Sequence, residues 1–168
     1  MSCRGHNGFD SDNCVCAVLR RIADVQDALE PDTTGPCTTS CERSIAQLEG
    51  LVSPVTNGPD TIPVILYCDC EPFLGTGVRL NTPGASSNVR FECIQSFLFR
   101  VNSVDEDCCA TLELLTAGGG PNPQDPCSQF PGGSVGLNDI DATGICITVD
   151  LNCFCGVTCL DPVRVNRD

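Results

Sequence analysis

Fifteen cysteines spread over 168 residues limit what this chain can become more than any other feature. Such a density belongs to a disulfide scaffold or a metal cluster. The length allows one domain plus a modest extension, enough to bury a core without covalent help. The cysteines are therefore not needed merely to hold a coreless fold together, although each disulfide adds about 2–4 kcal/mol. Their number is odd. Full internal pairing leaves one thiol over, and a leftover thiol invites a bond to another chain.

The net charge is −13, from 22 acidic and 9 basic residues, and every basic residue is an arginine. The arginines are scattered, so no basic patch offers itself to nucleic acid or to an anionic membrane. No apolar run is long enough to span a bilayer. Residues 1–10 are polar and lack the apolar core of a secretory leader, so synthesis without one is expected. Cytosol keeps thiols reduced. The cysteines then either hold metal or are oxidised once their surroundings change. The absence of lysine removes the ε-amine that isopeptide cross-links need and leaves thiols as the covalent route. Lysine is also a common guard on exposed strands, so its absence suits edges that pair.

Residues 1–13 read as a flexible arm. Val15, Val18, Leu19, Ile22, Val25 and Leu29 recur at steps of three and four, predicting an amphipathic helix. Asp12 or Asn13 is a fitting N-cap, and Pro31 ends the helix. Cys14 sits at the edge of the apolar stripe, and Cys16, roughly opposite, is expected to face away from the core. Thr39 and Glu42 form a capping box for a second, shorter helix with Cys41, Ile45, Leu48 and Val52 on one face. Breaks at Ser53-Pro54 and Asn57-Gly58-Pro59 close this helical region, 14–57.

The pattern then turns to β over 58–160, with 161–168 as a tail. Ile62 to Tyr67 is a short apolar run of strand formers. Phe97, Phe99 and Val101 alternate with polar residues, although Leu98 breaks the polarity. Cys108, Ala110, Leu112 and Leu114 alternate with Cys109, Thr111 and Glu113. From Ile145 to Val157 every odd position is apolar or cysteine, predicting one long strand with a buried and an exposed face. Residues 117–138, rich in glycine and proline, read as a surface loop with Phe130 tucked down. The expected fold is mainly β: an antiparallel sandwich or barrel-like domain with a short helical N-terminal region.

These periods also assign sides to the thiols. Cys3, Cys16, Cys109, Cys127 and Cys146 are the candidates for intermolecular disulfides. Cys14, Cys37, Cys41, Cys68, Cys70, Cys93, Cys108, Cys153, Cys155 and Cys159 are expected to be buried or paired within the chain. Cys93 is placed inward because it shares the parity of Phe91, Phe97 and Phe99. Cys153 and Cys155 lie two apart on one strand face, about 6.6 Å between Cα atoms, near the upper limit for a disulfide.

Catalytic chemistry finds little support. A Cys–His nucleophile needs a placed base, and the one histidine, His6, lies in the arm. Redox C-x-x-C motifs are absent; the spacings are C-x-C and C-x-x-x-C. Four-cysteine zinc is the serious competitor. Cys14, Cys16, Cys37 and Cys41 form one conceivable set, and Cys153, Cys155 and Cys159 part of another, but neither has zinc-ribbon spacing. Asp105-Glu106-Asp107 lacks the EF-hand pattern and reads as a solvated turn.

Several segments resemble a known family. The helix Cys14-Val-Cys-Ala-Val-Leu-Arg-Arg-Ile with Cys37-Thr-Thr-Ser-Cys41 resembles the start of the cysteine-rich spore coat and exosporium proteins CotY, CotZ and ExsY. Thr61 to Tyr67 resembles their first strand, and Phe97 to Val101 with Asp107 to Leu115 their middle. Cys146-Ile-Thr-Val-Asp-Leu-Asn-Cys-Phe-Cys-Gly-Val-Thr-Cys159, similar to their C-terminal signature, is the most specific match. The resemblance implies a non-enzymatic structural protein of an outer spore layer, coat crust or exosporium, made in the mother-cell cytoplasm and free of cofactors. It implies self-assembly into a two-dimensional, hexagonal lattice that disulfides then lock. The implied partners are other copies of the chain, as hexamers, and other coat or exosporium proteins. A cytosolic zinc-binding module is the alternative.

Overall fold

The computed structural model describes residues 14–28, 41–50, 58–81, 90–118, 122–134 and 136–167. Two helices, α1 (Cys14–Ala28) and α2 (Cys41–Glu49), precede eight strands. These are β1 (Val64–Cys68), β2 (Glu71–Pro72), β3 (Gly75–Asn81), β4 (Arg90–Ser96), β5 (Phe99–Val104), β6 (Cys109–Ala117), β7 (Ile140–Asp150) and β8 (Gly156–Cys159). The fold is mainly β and antiparallel. The arm, the helix caps proposed at Asp12, Asn13 and Thr39, and Val52 lie outside the described residues.

A curled sheet runs β2-β1-β5-β6-β7, with β8 on the other edge of β1. Helix α1 covers one face because Val15, Leu19, Ile22 and Val25 bury its apolar stripe against Val64, Leu66, Phe99, Val101, Leu112 and Leu114. A second, smaller cluster fills the opposite face: Ile65, Leu98, Leu115, Ala117, Ile140 and the C-terminal Val163 and Val165. This explains two irregularities of sequence. The unbroken run around Val64-Ile65-Leu66 belongs to a strand buried on both sides. Leu98, out of step with Phe97 and Phe99, belongs to the second cluster. Inside the first cluster Phe73 stacks on Phe99 at 5.7 Å and meets Phe154 edge-on at 5.1 Å.

Strands β3 and β4 form a separate hairpin, in register from Gly75 opposite Ser96 to Asn81 opposite Arg90. It lies over the first cluster at glycines. A Cβ on Gly75 would strike the Phe99 ring, and one on Gly77 would strike Ile145. Absent side chains let the two layers meet closely.

The long strand expected from Ile145 to Val157 is two strands. Strand β7 stops at Asp150, whose carboxylate accepts from the backbone N–H of Asn152 and caps a short 3-10 turn, Leu151–Cys153. The turn shifts the alternation: Leu151 and Phe154 are buried, while Cys153 and Cys155 are exposed.

Two glutamines hold layers together. Gln26 on α1 donates to the Val101 carbonyl at 2.8 Å and accepts from the Ile62 N–H at 2.9 Å. Gln129, 4% exposed, accepts from the Phe97 N–H and donates to Ser96 Oγ and the Leu115 carbonyl. Gln129 thus anchors the described residues 122–134, and Phe130 beside it packs against the second cluster. At the C-terminal end Asp60 takes hydrogen bonds from Thr61, Val165 and Arg167. Burial works against its carboxylate, but these bonds outweigh it and hold the pKa below the usual value.

Candidate cross-linking surface

Four cysteines are consumed inside the subunit. Cys16 bonds Cys108, with Cα atoms 5.7 Å apart, and Cys41 bonds Cys159 at 4.8 Å. Cys16 does not face away from the core as its helical angle suggested: it is 1% exposed. The buried stripe of α1 is wider than the expected one, and it takes in Cys16 and Ala23, seven residues on, along one edge. Arg20, one turn further, passes over this cystine and donates to the Asp105 carbonyl at 2.9 Å.

The Asp105–Cys109 turn explains how adjacent cysteines part. Cys108 has a left-handed backbone, φ 61°, and its carbonyl accepts from the Leu151 N–H. Its side chain reaches inward to Cys16, while Cys109 begins β6 facing solvent. Asp105 Oδ1 accepts the Cys109 N–H at 2.7 Å. The acidic run is thus occupied as a turn. Its charge acts on the neighbouring thiol: Asp105 foremost, then desolvation, Asp150 and Asp107, push the Cys109 pKa up.

Cys146 lies on the outward face of β7, opposite Glu113 of β6. The Asn102 amide donates to its sulfur at 3.5 Å. Partial burial, then Glu113, push its pKa up against the opposing pull of Asn102 and Arg100. Cys127 is exposed on a turn where Asp125 Oδ1 accepts two backbone N–H groups, those of Cys127 and Ser128.

Four more cysteines gather where β1, β2 and β8 meet. Asp69 and Cys70 form the β1–β2 turn, both at positive φ, 50° and 66°. The Cys68 thiol, half-buried, donates to the Cys153 carbonyl at 3.1 Å. The Cys155 N–H donates to the Tyr67 carbonyl at 2.9 Å, and its thiol lies 3.4 Å from the same oxygen. Cys70, Cys153 and Cys155, expected buried or paired, are exposed. The turn at 69–70 and the 3-10 break at 151–153 turn them out of the strand faces on which parity had placed them.

Cys93 is also exposed. Its parity with Phe91 was right, but both point away from the core because β4 belongs to the hairpin and not to the main sheet. Cys3 and Cys37, and the side chain of Cys14, lie outside the described residues. The two zinc sets do not assemble. Cys16 and Cys41 bond Cys108 and Cys159 instead of converging, and Cys159 is thereby taken from Cys153 and Cys155. Among the described residues no cluster of three or more ligating side chains is set to hold a metal.

The exposed free thiols Cys70, Cys93, Cys109, Cys127, Cys146 and Cys155 thus stand on turns, on a hairpin and on a sheet face, around a stapled core. The sequence matches the family described as Spore coat protein Z over residues 1–162. The chain belongs to the Spore coat protein Z family. Spore coat protein Z of Bacillus subtilis (strain 168) is 28% identical over 162 residues, covering 92% of this chain and 93% of that protein. No solved structure matches. The resemblance read from the cysteine-bearing segments is borne out, and membership gives the chain a structural role in the spore coat. The two internal cystines fit disulfide cross-linking in such a protein. No described helix is long and apolar enough to cross a membrane.

Proposed function

We propose that the chain is a non-enzymatic, self-assembling subunit of an outermost spore layer, forming a two-dimensional hexagonal lattice that disulfides lock. One observation carries this reading. The core draws on Cys16, Cys41, Cys108 and Cys159 for its internal bonds and leaves free thiols on several separate parts of the surface. Thiols spread in this way serve many neighbours at once, as a lattice requires and a single redox centre does not. Repeated heterologous contacts closing into rings and tiling a plane would generate the sheet. Synthesis in the mother-cell cytoplasm would keep the thiols reduced until lysis brings in oxygen.

The test is electron microscopy of the purified full chain in negative stain, with and without reductant. The expected result is ordered sheets that survive denaturant only when reductant is absent. Dispersed monomers under both conditions would overturn the reading.

A further inference from the structure

The β3–β4 hairpin turns more large apolar side chains outward than inward, which an isolated subunit does not need. Its inward face meets the core through Gly75 and Gly77, where no side chain fits, and through Ile94, buried in the first cluster. Three of its four large apolar side chains point to solvent: Val78 is 56% exposed, Leu80 59% and Phe91 79%. Val78 pairs with Cys93 and Leu80 with Phe91, so three large apolar groups surround a free exposed thiol. Contiguous exposed apolar surface of this kind marks an interaction site.

Charge indicates what covers it. The chain carries −13, so two copies repel wherever their acidic surfaces face each other. The outward hairpin face is neutral: Thr76, Val78 and Leu80 on β3, and Phe91, Cys93 and Gln95 on β4. The hairpin's ion pair, Arg79–Glu92 at 2.9 Å, belongs to the inward register, and Arg79 also donates to the Thr143 carbonyl on β7. Residues 80–89 contain no charged side chain at all. A cationic partner would be drawn to acidic surface and gains nothing here. A second copy of this acidic chain gains most from a contact free of acids.

We infer that the outward face of β3–β4 docks on the same face of a second copy, about a two-fold axis beside Cys93, and that Cys93 bonds Cys93 of that copy. This rests on the self-assembly reading above and names one of its contacts. Apolar packing of Phe91, Leu80 and Val78 forms first and needs no oxidant. The two thiols then give up two protons and two electrons to dissolved dioxygen, forming one disulfide and one hydrogen peroxide.

The test uses the full chain in two arms. Under reductant, sedimentation of the parent and of Phe91→Ser measures the non-covalent contact. A reversible dimer whose dissociation constant rises at least about tenfold in the variant is expected, since buried aromatic anchors dominate such contacts. In air, equal amounts of ordinary and nitrogen-15 chains are mixed, and the non-reduced peptides are weighed. A mixed-isotope peptide joined Cys93 to Cys93 is expected, and Cys93→Ser should lose it while keeping the reversible dimer. Cys93 that stays alkylatable inside reductant-sensitive sheets would overturn the hairpin contact and leave the lattice standing. A Phe91-dependent dimer that never grows further would uphold the contact and sink the lattice. An unchanged dimer constant with a lowered monomer Tm in Phe91→Ser would show the chain covering its own hairpin, which also overturns the proposal.

Discussion

The helix-covered sheet and the β3–β4 hairpin use the same residue types in opposite senses. Under α1, apolar side chains turn in, and Cys16 and Cys108 close a buried bond among them. On the hairpin, two glycines and Ile94 turn in, while Phe91, Leu80, Val78 and Cys93 turn out. The first region makes the subunit; the second has surface to spare for something else. Cysteine in this chain therefore has no single role. Its role is set by which layer the strand or helix belongs to.

The largest test of this contrast removes a core bond. Cys41→Ala with Cys159→Ala opens a bond between residues 118 apart and should cost about 4 kcal/mol of stability, read by urea unfolding in dilute non-reducing buffer. By contrast, Cys93→Ser should leave the unfolding midpoint of the monomer unmoved. Equal losses in the two variants would erase the distinction. Next comes the glycine seam. Gly77→Ala sets a methyl against Ile145 and should destabilise by about 1–3 kcal/mol through overpacking. Its signature is faster proteolytic nicking of the hairpin than of the main sheet; uniform nicking would mean that the hairpin is not a separable layer.

A smaller effect concerns the surface thiols. Asp105 holds the Cys109 pKa up, so less thiolate is present at mildly alkaline pH than in an ordinary cysteine. Asp105→Asn keeps an oxygen for the Cys109 N–H but removes the charge. Iodoacetamide labelling of Cys109 at pH 8 should then speed up severalfold, and an unchanged rate would show that the neighbouring acid does not restrain this thiol. The smallest effect is at Asp60. Its carboxylate is held below the usual value of 3.8, so its contribution is present above that pH and is lost as pH falls through the lowered value. The pair with Arg167 is partly exposed, so Asp60→Asn should cost at most about 1 kcal/mol near neutrality. The difference in Tm from the parent should close in strong acid; a gap that persists there would have another cause.

Much of the fold was legible because burial leaves a period. The stripe of α1, the apolar run of β1 and the alternation of β6 all appear in the sequence at the positions where the strands and helices form. Three things left no such mark. The break at Leu151–Cys153 hides inside an unbroken alternation, since an Asp capping a single turn looks like any exposed polar residue of a strand. Gln26 and Gln129 carry no apolar signal, yet each bridges layers through backbone partners that only the folded chain brings near. The side on which Cys93 lies depends on which layer owns β4, and parity fixes which residues share a face without saying what that face meets. The pairing of Cys16 with Cys108 is likewise a long-range fact, 92 residues apart.

The order of the two core bonds along the chain has a consequence for durability. Cys16–Cys108 and Cys41–Cys159 interleave, each loop enclosing one end of the other. A single peptide cut anywhere from residue 17 to residue 158 therefore releases no fragment, because at least one bond always crosses it. A cut between 41 and 108, the interval that holds the exposed hairpin, leaves both bonds crossing. A peptidase that finds a way in at one point does not detach any piece of the subunit between its outermost bonded cysteines.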